Sequence, residues 1–216
     1  SNYSFVLFNR MTMNIGLRGD YFNPLEKKFY ISPRVSTSYQ LNELTALSLS
    51  AGVYYQAPSY IWLAADESNK KLKHVRNNQV VFGIEHRLRE DALLKMESFY
   101  KDYRDYPTSI IRPYLVLANT GAGFSGSDDN FSSFGLEPLV SKGKGIAKGV
   151  ELSVQKKLSE IPYYGILSLT YSQSDFTPLD GISRTGSYDQ TWIFNISGGY
   201  KFSNEWETSL KFRYAS

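Results

Sequence analysis

A chain of 216 residues is long enough to bury one sizeable core. Its net charge of +3 comes from 24 basic and 21 acidic residues dispersed along the chain, which gives no basic stripe and argues against a nucleic-acid partner. The absence of cysteine excludes a disulfide framework and a thiolate metal site, and no apolar run reaches the roughly 18 residues that a transmembrane helix needs.

Period-two alternation of apolar and polar residues runs through the chain. Residues 3–22 are too long for one strand and predict two, with a break near Asn9-Arg10. Asn23-Pro24 ends the second, because proline cannot donate to a ladder. Residues 30–40 place Ile31, Val35, Thr37 and Tyr39 on one face, and Ser32, Arg34, Ser36, Ser38 and Gln40 on the other. After a tight connection at 41–44, residues 45–56 alternate Leu47, Leu49, Ala51, Val53 and Tyr55 with Ser48, Ser50, Gly52, Tyr54 and Gln56. That small, uncharged polar face suits a lumen wall better than a soluble surface.

A long connection over 57–77 opens with Pro58 and gathers Lys70, Lys71, Lys73 and Arg76. Residues 78–88 and 92–103 predict the next hairpin, turning at 89–91. In its second strand Leu94, Met96 and Tyr100 alternate with Lys95, Glu97 and Lys101. Those charges belong on a watery lumen, since each would cost roughly 2–4 kcal/mol at the lipid midplane. The longest connection, 105–146, carries Pro107, Pro113 and Pro138, with YLVLA at 114–118 as a short strand inside it. GIAKGVELSVQKKL at 145–158 then turns Val150, Leu152 and Val154 to lipid and Glu151, Ser153 and Gln155 to the lumen. A turn at 159–162, a strand at 164–174, a connection at 175–189, a strand at 190–202, a turn at 203–205 and a strand at 206–214 complete the chain.

These segments make about nine or ten strands, each near the roughly 9–11 residues that cross a bilayer. The expected fold is all-β: one antiparallel up-and-down transmembrane β-barrel segment spanning 1–216, and a partial barrel. Short turns would lie on the periplasmic side. Long loops near 57–77, 105–146 and 175–189, and a smaller one at 23–29, would lie outside. Aromatics at 15%, with 17 Tyr and 13 Phe, suit rings parked at membrane interfaces. A soluble antiparallel sandwich also alternates and is the competing fold, but it does not require short and long connections to take turns.

Four stretches carry a resemblance to a known family: NIGLRGDYF at 14–22; YISPRVSTSYQ at 30–40 with AGVYYQAPSYIW at 51–62; ALLKMESFYKDYRDY at 92–106; and KGIAKGVEL at 144–152. In order and spacing they are similar to the barrel domain of TonB-dependent outer-membrane receptors. The resemblance implies location in the outer membrane of Gram-negative bacteria and import of a scarce nutrient of the siderophore, cobalamin or glycan class. It implies no enzymatic activity and no cofactor. Its partners would be outer-membrane lipid, the ligand, the remaining barrel strands, and a plug domain through which the TonB complex acts. Nothing in the sequence reads as plug or TonB box, so the expectation is a piece of a larger barrel of 22 strands. Alternatives are a complete small barrel with a structural or adhesin role, and a soluble binding module.

If the resemblance holds, the ligand-facing candidates are Tyr60, Trp62, Arg112, Tyr114, Lys142 and Lys144, because aromatics stack on rings and cations hold anionic groups. Four other readings are weaker. Gly121 to Gly126 matches a dinucleotide fingerprint but is followed by turn-like sequence rather than a helix. Asp128-Asp129-Asn130 offers oxygen ligands without EF-hand spacing, so no metal is expected. His74 with Asp66 and Glu67 is the one local arrangement reminiscent of a barrel protease. His86 falls on the apolar face near a short turn, an interfacial position.

Overall fold

The computed structural model describes residues 2–7, 10–117, 123–124, 133–134, 136–186 and 189–216. Ten strands follow one another in an antiparallel path: β1 (Asn2–Leu7), β2 (Met11–Tyr21), β3 (Phe29–Gln40), β4 (Thr45–Gln56), β5 (Val75–Arg89), β6 (Ala92–Ser109), β9 (Leu139–Lys156), β10 (Tyr163–Thr177), β12 (Trp192–Lys201) and β13 (Glu207–Ala215). The short β11 (Arg184–Thr185) adds to β10, and β7 (Gly123–Phe124) pairs with β8 (Ser133–Phe134) apart from the main sheet. This is an up-and-down sheet of 11 strands, open between β1 and β13: a partial barrel. A sandwich needs a second sheet facing the first, and among the described residues the only other sheet is that two-stranded β7–β8 ribbon.

Small polar side chains close the short turns locally. Asn42 accepts the Leu44 amide at 2.9 Å, and the Ser203 hydroxyl accepts the amides of Glu205 and Trp206 at 3.2 Å each. Both side chains replace ladder bonds that the reversing backbone gives up. A third device links two turns: Asp91 meets the Lys156 ammonium at 2.6 Å and accepts from the Ser159 hydroxyl at 2.5 Å. Those two donors hold the Asp91 carboxyl down to about 2.

The register sorts the side chains onto two faces. One row of partners runs Phe194, Leu169, Leu152, Met96, Ile84, Leu47, Tyr39 and Met11 across eight strands. The adjacent row on the other face runs Asn195, Ser168, Ser153, Lys95, Glu85 and Ala46. The first face is the apolar belt and the second is the polar lining. At the long-loop edge of the belt Tyr171 and Trp192 touch, with ring centroids 4.8 Å apart; at the short-turn edge Tyr200 meets Phe202, also at 4.8 Å. Eight residues separate Trp192 from Tyr200, about 27 Å along a strand at ~3.4 Å per residue. With the usual tilt this approaches the roughly 25 Å height of a lipid-facing band between aromatic girdles.

Several strands run on beyond the sequence-based ranges. β6 and β9 have 18 residues each and stay paired as far as Ser109↔Leu139. Bulges interrupt the ladder where Tyr103↔Gly145 steps to Tyr106↔Gly143 and then to Pro107↔Ser141. Asp105 takes a positive φ of 61° there, which aspartate tolerates better than most residues. Prolines and bulges are thus absorbed into an extended ladder end, so 105–109 and 139–146 are strand rather than loop. YLVLA forms only a single bridge, Val116 to Thr108, and its Ala118 lies outside the described residues.

Pro33 marks a second irregularity. β2 and β3 pair past it, through Leu17↔Pro33 to Tyr21↔Phe29. The β3–β4 ladder instead stops at Arg34↔Gly52, while β4 goes on with β5 to Gln56↔Val75. A residue without an N–H cannot sit between two ladders, so β3 and β4 part there.

Candidate functional site

The long-loop end carries the only closely packed apolar cluster among the described residues. Leu25, Trp62, Leu63, Leu72, Leu117 and Leu139 are buried together, with Phe22 and Leu115 against them. Three connections and the start of β9 thereby share one small core, built around a short helix α1 (Tyr60–Ala65) and a 3-10 turn at Glu67–Lys71. Asp66 caps that turn by accepting the Ser68 amide at 2.8 Å and its hydroxyl at 2.5 Å, which lowers the carboxyl's pKa.

Asn69 pins the cluster. Fully buried, it donates to the Trp62 carbonyl at 2.8 Å and the Glu137 carbonyl at 3.0 Å, and accepts the Leu139 amide at 2.7 Å. One amide side chain so ties the 57–74 connection to the start of β9. Arg112 meets Glu137 beside it at 2.9 Å. His74 is also buried. Its ring stacks on Tyr30 at 4.0 Å and 11°, and Phe22 lies edge-on at 5.8 Å. Among the described residues neither ring nitrogen makes a hydrogen bond. Burial lowers the His74 pKa, the nearby Asp20 opposing this and Lys27 reinforcing it.

The six candidates separate on this scaffold. Tyr60 and Tyr114 stand exposed on the loop cluster. Trp62 is a core residue, its ring buried among leucines. Arg112 is held in its ion pair with Glu137. Lys144 is exposed and shares the strand parity of Val150, which puts it on the lipid-facing side above the belt, and Lys142 is exposed at the β9 bulge. The loops add apolar side chains that the sequence reading did not single out: Ile61, Ile110, Ile111, Leu136 and Ile182 are all exposed. The Asp180 amide bonds the Pro113 carbonyl at 3.1 Å, bringing the Ile182 connection against the one that bears Tyr114.

His74, Asp66 and Glu67 are not assembled as a catalytic group. His74 is stacked in the cluster, Asp66 caps the 3-10 turn, and Glu67 pairs with Lys70 at 3.1 Å. His86 faces the belt side and bonds Thr45 Oγ1 through Nδ1 at 2.9 Å. Asp128-Asp129-Asn130 and all of the Gly121–Gly126 stretch except Gly123-Phe124 lie outside the described residues. Among the described residues no three metal-ligating side chains gather.

The polar lining holds a second feature, invisible without register. Glu97 and Glu151 are direct cross-strand partners on the inner face. Like charges placed opposite each other destabilise a sheet. Lys95 offsets this in part, 3.1 Å from Glu97 and 3.8 Å from Glu85. Three carboxylates and one ammonium leave that patch of wall acidic.

The fold recurs in solved outer-membrane structures. The alcaligin outer-membrane receptor FauA from Bordetella pertussis aligns over 99% of this chain and 36% of its own, with a TM-score of 0.66 at 14% identity. The ferric-catecholate import receptor Fiu from Escherichia coli K12 aligns over 98% and 33%, with a TM-score of 0.68 at 13% identity. The FpvAI protein in its complex with pyocin S2 aligns over 97% and 27%, with a TM-score of 0.71 at 16% identity. The chain thus spans about a third of the length of these structures. No curated protein matches it in sequence. The family described as TonB dependent receptor-like, beta-barrel matches residues 2–216. With strands, belt and girdles agreeing, the chain belongs to the TonB-dependent receptor β-barrel family of Gram-negative outer-membrane proteins.

Proposed function

We propose that this chain forms part of the wall and outer rim of a receptor that captures and imports a scarce nutrient, and that it performs no catalysis itself. The long-loop end then faces outside. The observation that carries the reading is the exposed set Tyr60, Ile110, Ile111, Tyr114 and Ile182, displayed on loops whose own core is packed and pinned by Asn69. Exposed apolar groups on a rigid support make a binding surface that needs little ordering when ligand arrives. FauA and Fiu are named for alcaligin and ferric catecholates, which favours a chelated-iron ligand over cobalamin or a glycan. Lys142 and, where ligand reaches it, Lys144 supply positive charge near that surface, while Trp62 and Arg112 support it from below.

The acidic patch around Glu97 and Glu151 faces the lumen, where a plug domain would sit and through which the TonB complex would act. Cations of the plug would neutralise the two opposed carboxylates.

The test uses the full-length receptor in outer membranes and a panel of labelled ferric chelates. Deleting residues 118–135 spares the buried Leu117 and Leu139, and Tyr114→Ala removes one exposed ring. Ligand binding is expected to fall about tenfold or more in each, the size of a lost aromatic contact of roughly 1.5 kcal/mol. Unchanged binding in both would sink the rim assignment.

A further inference from the structure

The belt is not uniformly filled. One ladder row on the lipid-facing side runs Tyr3, Ile15, Val35, Ala51, Val80 and Tyr100, with the smallest side chain near the middle. One step nearer the loops, β3 and β4 have already parted at Pro33. Together these leave an apolar recess of ≈ 830 Å³ with Tyr3 and Tyr100 among its lining residues.

Directly beyond the recess the same face becomes cationic. Arg76 and Arg104 are cross-strand partners, two guanidinium groups side by side in the ladder. Arg76 is tied through Nε to Asn78 at 2.8 Å, and Arg104 through Nε to Asp102 at 3.0 Å. Among the described residues, the terminal nitrogens of neither carry a bond. Lys148, the partner of Tyr100, and Lys144 are exposed on the same side. Asp102 and Asp175 are the acids there, so cations outnumber them. Like charges held opposite each other favour an anion between them.

An apolar recess within the bilayer and a cation cluster at its headgroup edge call for one occupant with both an acyl chain and phosphate. We propose that this face docks a phosphorylated, multiply acylated glycolipid of the outer leaflet. A phosphate lies across Arg76, Arg104 and Lys148, and an acyl chain fills the recess over Ala51.

The proposal is independent of ligand import, and its test reads lipid rather than uptake. The full-length receptor is extracted from outer membranes in mild detergent, and its bound phosphoglycolipid is counted by native mass spectrometry. Correct folding of each variant is checked by heat-modifiable migration. Each basic group near an anionic lipid surface is worth about fivefold in affinity, so Arg76→Glu with Arg104→Glu should lower occupancy at least ~25-fold. Ala51→Phe fills the recess and should release the lipid with every charge intact; Ala51→Val serves if the larger ring blocks folding. Lys157→Glu, at the exposed short-turn end, should change nothing. Equal occupancy in the arginine variant and the unaltered receptor would overturn the proposal. So would an equal loss in Lys157→Glu, the mark of a nonspecific lipid annulus, or full retention of a dephosphorylated lipid.

Discussion

Two buried polar side chains decide how the loop end is held. Asn69 makes three hydrogen bonds to three backbone groups in two segments distant in sequence, the Trp62 turn and the start of β9. Asn69→Leu keeps the heavy-atom count and the branch at Cγ but orphans those groups at roughly 1–3 kcal/mol each. The expected outcome is faster hydrogen exchange at the Leu139 amide with the transmembrane strands unaffected. Protection equal to the unaltered protein would show that the cluster does not depend on this side chain. His74 behaves differently because it is neutral in place. Its pKa is depressed in the folded protein, so below the ordinary value near 6.5 the unfolded segment takes up a proton that the folded one refuses. Stability from this group is therefore present at neutral pH and is lost as pH falls from about 6.5 toward the lowered value. Protease cleavage within residues 57–74 should rise between pH 7 and pH 5. His74→Phe, which can still stack on Tyr30, should flatten that rise, and an unchanged slope would rule His74 out as its source.

The β6–β9–β10 element is set by small residues at close approaches. A Cβ on Gly149 would stand 2.5 Å from the Tyr171 carbonyl oxygen and 2.7 Å from the Phe99 ring. The ring has some freedom to move, but the carbonyl is fixed in the β9–β10 ladder, so even alanine forces the strands apart. Gly149→Ala in the full-length receptor should abolish heat-modifiable migration. Ser153→Ala, four residues along on the same face, should leave it intact, and normal folding of both would refute the close-approach argument. The same alternation explains why KGVEL was legible as a strand from sequence: Gly149, Glu151 and Ser153 fall on one side and Val150 and Leu152 on the other. Strand lengths were less legible. Proline and glycine punctuation marked 105 and 146 as loop boundaries, but the bulged ladder carries pairing past both. Local turn signals do not report whether a long-range partner is present.

At the scale of the molecule, the sheet is a wall with β1 and β13 each paired on one side only among the described residues. In lipid an unpaired strand edge leaves backbone groups unsatisfied, so each of these two edges requires a partner strand. What fills the lumen must answer the Glu97–Glu151 pair. Glu97→Gln with Glu151→Gln in the full-length receptor should leave surface ligand binding unchanged. Import should drop about tenfold, as expected if a charged contact of roughly 1.5 kcal/mol or more is lost to the plug. Import at the original rate would remove these carboxylates from the plug contact.

The sequence alone determined the strand alternation, the two faces and the short turns, because these follow from nearest-neighbour periodicity and turn chemistry; the family resemblance rested on four motifs and their order. The strand at 45–56 is reproduced residue for residue. Tertiary structure alone decided which loop residues are free and which are structural. Trp62 is core, Arg112 is paired with a glutamate 25 positions away, and Lys144 lies on the lipid side. It also decided that Asn69 is a pin and that Glu97 faces Glu151. Those facts depend on register and on contacts between distant segments. A period of two says which face a side chain takes, but not what stands opposite it.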